Sequence, residues 1–484
     1  MIRACSDSSA VGGSSGGRVG DLAIVLHSHM PYVEGFGTYP FGEEWLLDAI
    51  VRSYVPVADV AEGLTMTVTP VLADQLEAPG LTGRLAAFVR EYRLGAAEAD
   101  AAELPPALRG ACRAETDRYR GAAARIAALG HDLLALFREP ARAGRIALMT
   151  SAATHAVLPL LATDGGRRLQ VHLGVRSHRR RFGEPAGFWL PECAYEPGLE
   201  RVLAAERIAC FCVDQSRHED GLAALAPVAV AAGPVAVTID WEAVSWLWSP
   251  GGYPAHPVHA EFHRQSMRGS HPFAIGGGPY EPDRAAAVAA GQAADFVHGA
   301  ADRLARFAAK RGRAGLLVFA IDTELLGHWW WEGPAWLAEV IRLAPERGLR
   351  MLTLPEALAE HVPEDRPLRA SSWGEGKDLR TWDSAAIADI AWAARRLELR
   401  TVGALAADGL TPAARERAVR ELLALQASDW AFLDGRRQAG DYPYQRATDH
   451  ARALLDAIDS AARPPDSRLR SLAPDLSLSP LLEP

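Results

Sequence analysis

Two carboxylates in this chain each follow directly on a short apolar run. Glu192 closes Gly187-Phe188-Trp189-Leu190-Pro191-Glu192 and leads into Cys193-Ala194-Tyr195, while Asp322 closes Phe319-Ala320-Ile321-Asp322 and opens a loop running to Gly333. Set among aromatics, two such groups are what glycoside cleavage requires: one protonates the leaving oxygen, and the other attacks or stabilises the anomeric carbon. A retaining enzyme holds them about 5 to 5.5 Å apart and an inverting one about 6.5 to 9.5 Å, a distance that only the folded chain sets. The loop after Asp322 carries His328 and then Trp329, Trp330 and Trp331. Successive side chains cannot all face a core, so this run is expected to form a wall on which pyranose rings stack by their C–H faces. Trp45, Trp246, Trp248, Trp373, Trp382 and Trp430 also fall in loop-like positions.

Histidines supply the remaining candidates. His27 and His29, in Leu26-His27-Ser28-His29-Met30-Pro31-Tyr32, are two residues apart on a strand, which turns both rings to one face. Such a pair is as often structural as functional, and metal binding would need a third ligand from elsewhere. His155 follows another strand in Thr150-Ser151-Ala152-Ala153-Thr154-His155 and is placed for a ligand contact. Other chemistries fit less well. Gly276-Gly277-Gly278 lacks the Lys-Ser/Thr ending of a phosphate-binding loop and reads as a turn. No Gly-x-Ser-x-Gly elbow with partners appears, and Cys193 lacks an activating histidine, so it reads as a packed thiol.

The elements that must position these groups are short β-rich runs between longer helical stretches. The runs are Leu22 to His27, Thr65 to Thr69, Arg145 to Thr150, Gly187 to Leu190, Ile208 to Val213, Val235 to Ile239, Gly315 to Ile321 and Leu349 to Thr353. Strands alternating with helices imply parallel βα units, the clearest being an Ala-rich helix from Asp283 to about Arg311 feeding the strand before Asp322. Seven or eight such strands point to a closed or nearly closed barrel, whose C-terminal strand ends display the catalytic groups.

Residues 77–143 are rich in Ala, Leu, Arg and Glu and are expected to be helices inserted between early strands. Beyond residue 363 the strand signals stop, and helices are expected over Ala385 to Thr401, Pro412 to Ala427 and Gln445 to Ala461. The expected organisation is therefore a disordered N-terminal tail over 1–20, a catalytic barrel over 21–363, a helical C-terminal domain over 364–462 and a mobile tail over 463–484. Arg176 to Arg181, the densest basic run, is read as a solvated loop.

Composition limits the partners. The 484 residues are 49% hydrophobic and 23% charged with net charge -9, which suits a large buried core and disfavours nucleic acid. Five cysteines without paired spacing read as reduced thiols. No segment has the apolar length of a signal peptide core or a bilayer span, so the expectation is a cytoplasmic protein with no membrane partner.

Five separated motifs, in order, resemble glycoside hydrolase family 57: His27 to Tyr32, the segment carrying His155, Trp189 to Tyr195, Asp322 to Gly333, and Ser428-Asp429-Trp430-Ala431-Phe432-Leu433. Pro-Glu-Cys-Ala-Tyr, Gly-His-Trp-Trp-x-Glu-Gly, and Ser371-Ser372-Trp373-Gly374 followed by Trp382 are most similar to its 1,4-α-glucan branching enzymes. The resemblance implies a (β/α)7-type barrel with a helical insertion and a helical C-terminal domain, acting on an α-glucan by a retaining mechanism with no metal and no cofactor. It implies Glu192 as nucleophile and Asp322 as acid/base. His27, His29, Trp45, His155, Trp248, His328, Trp329, Trp373, Trp382, Asp429 and Trp430 are the expected substrate-binding residues. One departure stands out: the family's branching enzymes carry a longer, Tyr-bearing cover loop where this chain has Asp214 to Pro234, which holds no Tyr. The alternatives are an α-amylase-like hydrolase or 4-α-glucanotransferase, a metal-dependent polysaccharide deacetylase using the histidines, and a glucan-binding protein without turnover.

Overall fold

The structure is a computed structural model that describes residues 18–459 and 471–483, apart from residues 39, 131, 219, 220, 232 and 408. Its strands are β1 (Gly20–Ser28), β2 (Leu64–Val68), β3 (Ile146–Ser151), β4 (Phe188–Trp189), β5 (Cys210–Val213), β6 (Val228–Ala229), β7 (Val235–Thr238), β8 (Leu316–Asp322), β9 (Leu349–Met351) and β10 (Glu364–Asp365). In the order β8-β1-β2-β3-β4-β5-β7 the neighbours are all parallel. Between β7 and β8 lies a seam, crossed by a backbone hydrogen bond from Asp240 N–H to the Val318 carbonyl at 2.9 Å. This is the expected seven-stranded barrel, nearly closed.

Register sets the level of the candidate groups. β1 is buried along its whole length, with Leu22 to Leu26 at 0% exposure, as a parallel strand covered on both faces must be. His27 pairs with Thr67 of β2 on one side and with Asp322 of β8 on the other, so the first histidine and the second carboxylate share one level of the barrel. Leu22 pairs with both Leu317 and Met351, which puts β9 on the β2-facing edge of β1, below the point where β2 begins pairing.

The insertion between β2 and β3 is helical as expected, over Leu81–Phe88, Val89–Leu94, Gly95–Glu103, Pro106–Ala128 and Ala135–Arg142. After β10 come the helices Ala388–Ala406, Pro412–Leu425, Ser428–Arg436 and Tyr442–Asp459, packed around Leu397, Leu422, Leu425, Trp430 and Leu454. This unit is stitched to the barrel at the strand ends: Ala427 bridges Ala156, Ser371 bridges Tyr195, and Trp373 N–H donates to the Glu192 carbonyl at 3.0 Å.

Three expectations are corrected. Arg176 to Arg181 is no loop but the last turns of the helix Asp164–Phe182; Arg181 is buried and ion-paired with Asp74 at 2.6 Å. The C-terminal segment is docked rather than mobile where it is described. Leu472 and Leu481 are buried, Ala473 N–H donates to Asp74 at 2.7 Å, and a Cβ on Gly165 would lie 2.5 Å from the Leu481 carbonyl. Each buried leucine contributes about 1.5 to 3 kcal/mol towards holding the segment in place. At the other end Arg18, Val19 and Gly20 are ordered, with Val19 N–H bonded to the Gly348 carbonyl, whereas residues 1–17 and 460–470 lie outside the described residues.

Candidate active site

The turn after β4 aims Glu192. Its backbone is left-handed (φ 61°, ψ 21°), and Cys193 (φ 47°) and, after β3, His155 (φ 59°) share that region. Non-glycine residues there cost conformational energy and cluster where a side chain must be displayed in one direction. Trp373 Nε1–H donates to Oε2 of Glu192 at 3.0 Å, and the Ser428 hydroxyl donates to Oε1 at 2.7 Å. Both donors come from the region after β10.

Asp322, at the tip of β8, makes no side-chain hydrogen bond to another described residue. Burial pushes its carboxyl well above the usual carboxylate range, and the negative charges of Glu324 and Glu192 push it further. Burial raises Glu192 as well, but there the hydrogen bonds from Ser428 and Trp373 oppose the rise. The two carboxyls are thus driven apart: Asp322 favours its protonated form, and Glu192 is equipped to be the anion. Glu324 is pushed to about 7, burial outweighing the hydrogen bonds it accepts from Tyr54 and from His29 N–H.

The histidines form a stack behind the pair. His27 lies against Trp189 at 4.5 Å between ring centroids, and His29 against His155 at 4.0 Å. Nε2 of His27 and Nε2 of His155 are 2.9 Å apart, and His155 Nδ1 is 2.9 Å from the Ser428 hydroxyl. Burial holds His27 and His155 well below the ordinary histidine pKa, so both are neutral. Burial also works against charge on His29, yet Asp429, bonded to its Nε2 at 3.0 Å, and Glu324 and Glu192 raise its pKa. Its Nδ1 faces Thr69 at 3.1 Å.

His29, His155 and Asp429 bring one ligand-type atom each within 4.8 Å of one another, the grouping a deacetylase-like metal site would need. These residues do not fit a metal. A metal ion lies in the plane of each imidazole on its lone-pair axis, and rings stacked at an interplanar angle of 22° send those axes side by side rather than to one point. Both nitrogens of His155 are already engaged by Ser428 and His27.

Of the expected substrate-binding residues, the structure brings His27, His29, His155, Trp373 and Asp429 to the carboxylate pair. Trp248 stands exposed just after the helix Trp241–Leu247. Trp45 is part-buried against Phe41 and Tyr442. Trp430, at 0% exposure with its Nε1–H on the Ala424 carbonyl, and Trp382, at 3%, are core residues with no face open to a sugar, which corrects their assignment. His328 is likewise buried, pushed down to about 3 by that burial and by Arg52, among Asp48, Arg93 and Phe262. The tryptophan wall is also corrected. Trp329 alone of the three is open, at 49% exposure; Trp330 packs on Trp336 in the core, and Trp331 is covered by the Arg118 guanidinium at 3.8 Å. Consecutive rings do alternate in direction, but the helical insertion supplies a second buried surface for the outward one.

Sequence reading missed Ser428, Glu324, Tyr54 and Thr69 as members of the site. Ser428 and Glu324 stand beside residues already singled out; Tyr54 lies on the π-helical turn Ile50–Tyr54 and leaves no local signal. The segment after β5 is folded down rather than standing free: Gln215 donates to the Arg369 carbonyl at 2.8 Å, and Asp214 pairs with Lys377 at 2.7 Å.

Comparison with known proteins agrees with this fold. The model of Glycosyl hydrolase family 57 matches residues 23–368, and that of the 1,4-alpha-glucan branching enzyme C-terminal region matches residues 389–477. A probable 1,4-alpha-glucan branching enzyme of Mycobacterium tuberculosis is 32% identical over 500 residues, spanning 94% of each chain. The 1,4-alpha-glucan branching enzyme of Thermococcus kodakarensis is 32% identical over 493 residues, spanning 90% of this chain and 72% of that one. Among solved structures, the GH57-type branching enzyme of Pyrococcus horikoshii superposes with a TM-score of 0.90 at 29% identity, covering 96% of this chain and 97% of that one. The Thermococcus enzyme crystallised with glucose superposes with a TM-score of 0.88 at 29% identity over the same shares. With the family model matched over residues 23–368 and a relative 32% identical over 94% of each chain, the chain belongs to glycoside hydrolase family 57.

Proposed function

We propose that this chain is a 1,4-α-glucan branching enzyme, acting on a glycogen- or amylose-like glucan in the cytoplasm. The observation that carries the mechanism is the asymmetry of the carboxylate pair. Glu192, held by two donors, attacks the anomeric carbon; as its C–O bond forms, the glycosidic C–O bond breaks and Asp322 gives its proton to the departing 4-oxygen. Asp322, now ionised, takes the proton of an acceptor 6-hydroxyl, whose oxygen attacks the same carbon and releases Glu192. Trp329 and Trp248 offer open aromatic faces for the glucan. The described cysteines, Cys112, Cys193, Cys210 and Cys212, are buried free thiols, in keeping with a reducing compartment.

Hydrolysis by the same pair is the second reading, favoured by the short, folded-down segment after β5. Branching needs the acceptor in the cleft and water kept out, so partition is expected to lean towards water relative to a relative with a long cover loop. The test is amylose incubated with wild type and Glu192→Gln, scoring new α-1,6 linkages against new reducing ends. Branching predicts α-1,6 linkages with wild type and none with the variant; reducing ends without any α-1,6 linkage would overturn it.

A further inference from the structure

We infer that Ser428 is a positioning residue for glycosyl transfer: its hydroxyl fixes the nucleophile Glu192 and, through the one proton it carries, sets the tautomers of His155 and His27 behind it. The inference rests on the reading of Glu192 as nucleophile.

Hydrogen-bond bookkeeping along this chain leaves one solution. Glu192 as an anion only accepts, so at 2.7 Å Ser428 must donate its proton to Oε1. The hydroxyl then has only lone pairs for His155 Nδ1 at 2.9 Å, and His155 must be the donor. A neutral His155 protonated on Nδ1 is bare on Nε2, so across 2.9 Å the proton belongs to Nε2 of His27. That leaves Nδ1 of His27 bare, and this atom has no hydrogen-bond partner among the described residues, while the other three ring nitrogens of His27 and His155 each have one. A buried bare nitrogen is the least costly end for such a chain, because a lone pair in apolar surroundings is tolerated better than an unpaired N–H.

Ser428 is held for this work by backbone rather than by its own side chain. Its N–H donates to the His155 carbonyl at 3.2 Å, and Ala427 bridges Ala156, so the serine and His155 move as one piece. Trp373 Nε1–H on Oε2 completes the grip. The groups facing Glu192 from each packed element are His29 just after β1, His155 after β3, Cys193 on its own turn, Asp322 at the end of β8 and Asp429 beside Ser428. Two of these are carboxylates, which discourage charge on Glu192, so the hydroxyl donor, together with Trp373, helps the nucleophile stay ionised as pH falls.

The experiment measures kcat and KM on amylose across pH for full-length wild type, Ser428→Ala, the same-shape pair Ser428→Thr and Ser428→Val, and Glu192→Ala. Losing a hydrogen bond to a charged group is expected to lower kcat of Ser428→Ala about tenfold to a hundredfold with KM little changed. The acid limb should move to higher pH, because the carboxylate has lost a donor. Ser428→Thr should recover the limb and Ser428→Val should not, although their bulk is the same. His155→Ala combined with Ser428→Ala should cost little more than the worse single change, as members of one chain do. An unmoved acid limb in Ser428→Ala, or equal rates for the Thr and Val variants, would overturn the inference. Should Glu192→Ala keep wild-type turnover, the nucleophile reading itself fails; an inactive Glu192→Ala beside an unaltered Ser428→Ala sinks only the role of the serine.

Discussion

Replacing Asp322 with asparagine separates chemistry from folding unusually well, because the carboxyl makes no hydrogen bond to a described residue and the amide occupies the same volume. Nothing in the packing is lost, so the whole effect on rate belongs to the missing proton. A positioned acid contributes about 10²- to 10⁴-fold, or roughly 3 to 5 kcal/mol of barrier, and Asp322→Asn should lose that much with amylose. With an α-glucosyl fluoride, whose leaving group needs no proton, the first step should be almost untouched. The alkaline limb of the wild-type profile, which records ionisation of the acid, should vanish in the variant. Stability should move the other way. Burial, Glu324 and Glu192 raise the folded-state pKa of Asp322 above its unfolded value of about 3.9. Such a group stabilises fully below the unfolded value, and that stability is lost as pH rises through the folded one. Asparagine does not titrate, so the melting temperature of Asp322→Asn minus that of wild type should be positive and grow above about pH 4. Equal rate losses on amylose and the fluoride, or a melting difference that shrinks with rising pH, would refute the assignment of the buried acid.

Glu324→Gln keeps an oxygen acceptor for Tyr54 and for His29 N–H but removes the charge that, after burial, most raises Asp322, so the alkaline limb should move to lower pH; a limb that stays or rises would show that Glu324 does not tune the acid. Because Glu324 itself is pushed to about 7, the limb is a property of the pair. Trp330→Ala and Trp329→Ala should part company despite adjacent positions. The first empties a core site and costs about 3 to 5 kcal/mol in unfolding free energy, while the second leaves melting unchanged and raises KM for amylose about two- to tenfold. Matching melting losses in the two would contradict the burial difference.

What the chain determined locally was the barrel and the placement of its carboxylates. All eight expected runs are strands, since apolar β-rich segments between helices need only neighbours of the same kind, and a carboxylate directly after such a run is carried to the C-terminal rim wherever the strand goes. The short pairs β6 and β10 escaped notice because two residues carry no period. Exposure was decided elsewhere. Whether Trp330 or Trp331 meets solvent depends on Trp336 and on the insertion helix, and whether Arg181 is solvated depends on Asp74, partners that no window around those residues contains. The grip on Glu192 is the extreme case: Ser428 meets it across 236 residues and Trp373 across 181. Residue type and spacing announce which groups can do chemistry, but hydrogen bonds between distant segments fix their protons and their charge. Those bonds exist only once the helical C-terminal unit has closed on the ends of β3 and β4.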